Sequence, residues 1–161
     1  MSGGRRLLSI DEIPVAHTPA GGWTSFPDPI LEGCAEALPV GVPDLRGMWE
    51  VIEVTVGGEK DPTHAMLGSA QRIEQGDDRI VITGGGLIHD MRCDGTVANG
   101  VHDVSLDFTT EITVVATYED GVHVLRPVGL PIEVRRYLEE NIMVWEYGPA
   151  FTARLMKVSR E

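Results

Sequence analysis

From residue 44 onward, short runs rich in Val, Ile, Thr and aromatic residues are broken at regular intervals by Gly, Asp and Asn. That texture is the signature of β-strands joined by tight turns. It places strands over residues 47–56, 64–75, 79–83, 87–93, 101–108, 111–118, 122–126, 132–138, 141–147 and 151–158. The connecting stretches QGDD, CDGTVANG, EDG, LEEN and YGPA carry residues that tolerate left-handed or tight backbone. After residue 64 no connection is long enough for a Greek-key crossover, which weighs against a two-sheet sandwich. A meander of this length curls until its first and last strands meet, because closure removes the exposed edges. The expected fold is therefore all-β, a closed up-and-down antiparallel barrel of roughly eight to ten strands.

Residues 1–44 read differently. They are rich in proline and glycine and show no strand-like alternation, so they are expected to form an N-terminal arm that packs on a barrel spanning residues 45–161. One short helix is predicted over residues 29–38: Asp28 can cap it, Pro29 suits its first turn, and Ile30, Leu31, Cys34 and Leu38 fall near one face.

Composition excludes some partners. With 13 basic and 25 acidic residues the net charge is 13 − 25 = −12, which repels nucleic acid and anionic membrane surfaces. Cys34 and Cys93 are too few for a disulfide scaffold, and neither has a neighbouring cysteine to build a metal knuckle. No apolar run near the N-terminus is long enough for a signal peptide or a membrane span, and a cytoplasmic location is the expectation.

Gly47 and Trp49 open the first barrel strand in "GMWEV", and Arg154 lies on the last in "FTARLMKV", with Lys157 a competitor for its role. Gly-x-Trp, a meander and a late basic residue together resemble the calycins, the superfamily of lipocalins, fatty-acid-binding proteins and nitrobindin-like barrels. The resemblance implies that Trp49 packs across the closed end of the barrel with Arg154 against its ring. Two departures narrow it. Only "GGEKDPT" separates Val56 from His64, too little for the helical lid of fatty-acid-binding proteins. Val51 and Glu53 stand where nitrobindin-like barrels carry glycines, so haem is an alternative and no cofactor is expected.

Inward polar residues should carry the function, since such a fold hosts binders and enzymes alike. In "GLIHDMRCDGTVANGVHDVSL", His89 shares a face with Leu87 and Met91, and His102 with Val104 and Leu106. A symmetric hairpin would set the two histidines opposite each other, able to hold a ligand or relay a proton. His123 is the third barrel histidine, but the spacing matches no compact metal motif and no metal is expected. Arg126 follows it on the same stretch. Arg135 and Tyr137 form an Arg-x-Tyr that resembles the carboxylate-gripping pair of fatty-acid-binding proteins, although there it lies on the last strand. Trp145 and Tyr147 share a face with Met143 and offer aromatic walls.

The leading reading is a binding protein that holds a small apolar or aromatic molecule in the barrel, oriented by these residues. The alternative is a cyclase or isomerase with His89 and His102 as general acid and base. A homodimer through a strand edge or the arm is the simplest assembly.

Overall fold

The computed structural model describes residues 9–34, 36–105 and 111–158, with the side chains of 102–105 and 111 outside the description. One antiparallel sheet contains β1 (Gly47–Val56), β2 (Glu59–Lys60), β3 (Ala70–Gly76), β4 (Arg79–Gly84), β5 (Leu87–Arg92), β6 (Val101–Ser105), β7 (Glu111–Glu119), β8 (Val122–Pro127), β9 (Val134–Glu139), β10 (Ile142–Tyr147) and β11 (Phe151–Val158). Its order is β5-β4-β3-β1-β11-β10-β9-β8-β7-β6, with β2 appended to β1. This is a nearly closed up-and-down barrel, as expected. The strand predicted over residues 101–108 lies partly outside the described residues.

The first and last strands join along a ladder from Met48↔Val158 to Thr55↔Thr152, shifted by one residue between Val51 and Glu53. Core side chains follow from strict alternation: Trp49, Ile73, Ile80, Met91, Met143 and Leu155 are buried in the half of the barrel near Trp49. Trp49 donates its indole N–H to the Leu45 carbonyl at 2.8 Å, and Leu45 and Gln75 close that end behind it. The base over its ring is Lys157, 5.3 Å from the centroid, where Arg154 was expected. Parity explains the change. Arg154 lies between the buried Ala153 and Leu155, so it points outward and pairs with Glu139, whereas Lys157 stands directly opposite Trp49. Gly47 is at φ 138°, and a Cβ there would lie 2.9 Å from the Lys157 stem, so glycine alone suits the site.

The barrel's seam falls between β5 and β6. A simple hairpin here would have put His89 opposite His102, but Asp94 instead accepts hydrogen bonds from Thr96 and Asn99 and folds residues 94–99 into a loop. That loop crosses onto β7 through the Asp94↔Thr117 bridge and the Gly95 N–H to Ala116 carbonyl bond. Gly100 permits the approach, since a Cβ there would meet the Val114 carbonyl oxygen at 2.2 Å.

The arm takes the β5 edge that β6 leaves open. His17 bridges His89, and the Thr18 hydroxyl exchanges hydrogen bonds with Ile88. Beneath the arm, Arg79 and Asp90 form an ion pair on the outer face of β4 and β5, at 2% and 6% exposure. Arg79 donates to both Asp90 oxygens and to the carbonyls of Ile10, Ile13 and Pro14, while Asp90 also accepts from Ala16 N–H. Both faces of β4 are covered, which is why five successive residues there, Arg79 to Thr83, are buried.

The helix predicted over 29–38, of which residue 35 lies outside the description, does not form among the described residues. Residues 30–33 make a turn whose first amides, Ile30 and Leu31, donate to the Glu74 carboxylate on β3, and Gly33 at φ 89° ends the helical path. Among the described residues of the arm, a 3-10 turn at Ile10–Glu12 is the helical element.

Replacing Arg79 with Met should strand the buried Asp90 carboxylate and three arm carbonyls. Breaking one side of such a pair costs about 3–5 kcal/mol. Urea unfolding should show that loss, and hydrogen exchange should show the amides of Ala16 and Ile88 losing protection.

Candidate functional site

One row of inward side chains crosses five neighbouring strands. Tyr118 on β7 pairs with His123 on β8, His123 with Arg136 on β9, Arg136 with Trp145 on β10, and Trp145 with Ala153 on β11. Directly opposed residues in an antiparallel ladder have Cβ atoms roughly 4.5–5.5 Å apart, so these groups are in contact range by register alone. The Tyr118 and His123 rings are 5.7 Å apart, and the Arg136 guanidinium lies 4.8 Å from the Trp145 ring centroid. From the opposite wall, Gln71 on β3 accepts a hydrogen bond from Arg136 Nε at 3.0 Å.

The row is polar, buried and incompletely bonded. His123 is fully buried, and Arg136 is 5% exposed. Both ring nitrogens of His123, Nη1 of Arg136 and Nε1 of Trp145 are buried with no hydrogen-bond partner. Native structures leave few such groups, and each costs about 1–3 kcal/mol. Burial, and then the neighbouring Arg136 cation, pull the His123 pKa from its ordinary value of 6.5 down to about 3. His123 is therefore a neutral imidazole at physiological pH. Burial also lowers Arg136 to about 9, with Tyr147 opposing the shift, which still leaves a cation at neutral pH.

Toward the end of the barrel away from Trp49, the row opens on an aromatic cluster. Tyr147 and Phe151 are stacked with centroids 5.2 Å apart, and Trp145 meets Phe151 edge-on at 5.2 Å. His64, from the connection between β2 and β3, lies 5.1 Å from Phe151 and accepts a hydrogen bond from Met66 N–H on its Nδ1. Residues 64–69, expected as the start of a strand, instead fold over this mouth in turns, and Met66 and Leu67 pack against the core. Tyr147, Phe151 and His64 are half-buried.

The residues expected to form the site separate into three groups. Trp145, Tyr147 and His123 lie together on the inner face. His89 shares the inner face with Met91 and stands opposite Ile82, with His17 on its other side; the His102 side chain lies outside the described residues. Arg126, Arg135 and Tyr137 point outward. Arg126 pairs with Glu119 and Glu133, and its guanidinium holds the Glu119 carboxyl down at about 2. Tyr137 donates to Glu146 at 2.8 Å, and Arg135 reaches the same carboxylate. Burial, reinforced by Glu146, pushes the Tyr137 hydroxyl up to about 12.

Arg136 and Gln71 are the functional candidates that pattern reading missed. The signal was present: Val134, Arg136 and Leu138 form one alternating set, and the apolar neighbours on either side mark Arg136 as the inward arginine. Gln71 is likewise in step with Ile73, which is buried.

Two other polar groups are accounted for. Gln75 Nε2 donates to the Tyr118 hydroxyl at 2.8 Å and to the Pro43 carbonyl, tying the row to the closed end. Cys93 is half-buried beside Tyr118, and desolvation pushes its thiol up to about 12, which makes it a poor nucleophile. Among the described residues no three His, Cys, Asp or Glu side chains cluster to hold a metal. The sequence matches no protein-family model and no curated protein.

The row makes stability depend on acid. Between about pH 3 and pH 6.5 the unfolded chain protonates His123 while the folded chain does not. Its contribution is therefore fully present above pH 6.5 and is lost progressively as pH falls toward 3. At pH 5 the loss amounts to about 2 kcal/mol. In urea titrations, His123→Phe should gain stability relative to the parent by about that amount on going from pH 8 to pH 5.

Proposed function

We propose that this chain is a calycin-like small-molecule-binding barrel whose ligand lies in the mouth half of the interior. An aromatic or apolar body rests against Trp145, Tyr147 and Phe151, and a polar end reaches the His123–Arg136–Trp145 row. The observation that carries this reading is the set of buried, partnerless polar atoms in that row, placed directly behind half-buried aromatic rings. Apolar contact supplies affinity in such a site and a few fixed polar groups supply orientation. The aromatic end is the more accessible one: Trp49 and Leu45 are fully buried, whereas Tyr147 and Phe151 are half-buried.

The chemistry of the row supports binding there over catalysis by His123. A general base works best with a pKa near the operating pH, and His123 is held far below it. It also weighs against haem, since iron bound to His123 would sit beside the Arg136 cation across the strand pair.

Fluorescence tests the site directly. A ring-bearing ligand found by thermal-shift screening should quench tryptophan emission, and the quench should vanish in Trp145→Phe but persist in Trp23→Phe. At a free ligand concentration 100 times Kd the fold should gain about 2.7 kcal/mol. Quenching retained in Trp145→Phe would place the ligand elsewhere.

A further inference from the structure

Every described arginine except Arg136 has a carboxylate within ion-pair distance. The exception is buried inside the barrel. Its Nε is bonded to a neutral amide, its plane lies over an indole, and its cross-strand neighbour His123 is an imidazole. In a chain with 25 acidic residues, no described carboxylate is placed to balance it. A buried cation without a counter-charge is costly, and removing its hydrogen-bond partners adds to that cost.

The remaining hydrogen-bonding capacity in the row is specific. Arg136 Nη1 and Trp145 Nε1 can only donate, and a neutral imidazole brings one donor and one acceptor. A molecule entering the row thus meets three donors, one of them charged, against a single acceptor. A neutral amide would offer one accepting oxygen without charge and would set its own N–H groups against those donors. A dianion would bring more charge than one guanidinium balances in a desolvated setting. A carboxylate brings one negative charge and two oxygens in a plane, which suits an arginine edge and an adjacent indole N–H.

Resting on the reading of the interior as the binding space, we infer that the ligand is an organic monocarboxylate. Its acid group sits on Arg136 and Trp145 Nε1, and its body lies along Trp145, Tyr147 and Phe151. Arg136 sets the charge that is recognised, and Trp145 contributes both a wall and a donor.

The test is calorimetric titration of the full chain at pH 7 with matched acids and amides: acetate and acetamide, benzoate and benzamide, 1-naphthoate and 1-naphthamide. A charged hydrogen bond contributes enough for at least one acid to bind about tenfold or more tightly than its amide. Arg136→Gln should abolish that preference, bringing each acid down to the affinity of its amide. Trp145→Phe, which keeps a ring and removes the donor, should reduce it, and covers the case in which Arg136→Gln does not fold. Arg135→Gln, on the outer face, should behave as the parent. Equal binding of acid and amide would overturn this inference and leave interior binding standing, as would preference for phosphate or sulfate over every acid. Failure of all pairs to bind would overturn both.

Discussion

The pairing of β1 with β11 is the constraint on which the rest of this structure depends. It joins residues about a hundred positions apart, and without it β1–β5 and β6–β11 would be two separate sheets with long unpaired edges. Closure sets which residues face inward on every strand, since a slip of one residue would turn each strand's apolar set outward. The one-residue shift between Val51 and Glu53 lets both ends of β1 keep their apolar residues inside: Trp49 and Val51 before it, Val54 after it. The inward row at Tyr118, His123, Arg136 and Trp145 is a direct consequence of the same register.

Closure at β1 and β11 leaves the barrel's remaining gap between two strands that are consecutive in sequence. The arm deals with that gap by occupying the β5 edge and by covering the outer faces of β3, β4 and β5. It does so mainly through polar locks. Arg79 collects three arm carbonyls, Glu74 takes two arm amides, and Arg72 Nη1 donates to the Pro27 carbonyl. A smaller apolar layer of Leu31, Val81 and Ile88 fills in behind them. The arm and barrel therefore share a second core, outside the first. A cleft of about 540 Å³ remains between the arm, β5 and residues 98–101.

The strands were readable because local pattern and tertiary packing agree along most of the chain. Residues 151–158 alternate cleanly, residues 47–56 alternate on either side of one bulge, and both are flanked by turn chemistry that needs no distant partner. What was not readable depended on distant partners. Glu74 captures the amides that a helix at Pro29 would have used internally. Asp94 reshapes the loop that a hairpin model would have kept narrow, so His89 meets His17 instead of His102. Arg154 and Lys157 differ in parity on β11, where Ala153 and Leu155 face inward, and only Lys157 stands opposite Trp49. The choice between Arg135 and Arg136 was the closest: a familiar Arg-x-Tyr spacing drew attention to the outward pair, while the apolar neighbours Val134 and Leu138 pointed to the inward one.

The candidate site is thus defined by unequal satisfaction of similar groups. The chain has three indoles. Trp23 donates to the Leu87 carbonyl and Trp49 to the Leu45 carbonyl, while Trp145 Nε1 is buried with no acceptor beside the Arg136 cation. The most direct measurement is the ¹H–¹⁵N spectrum of these three indole N–H groups during titration with an aromatic carboxylate. The account predicts that the Trp145 resonance moves downfield to saturation while those of Trp23 and Trp49 hold their positions. A Trp145 resonance that stays fixed as ligand binds would contradict it.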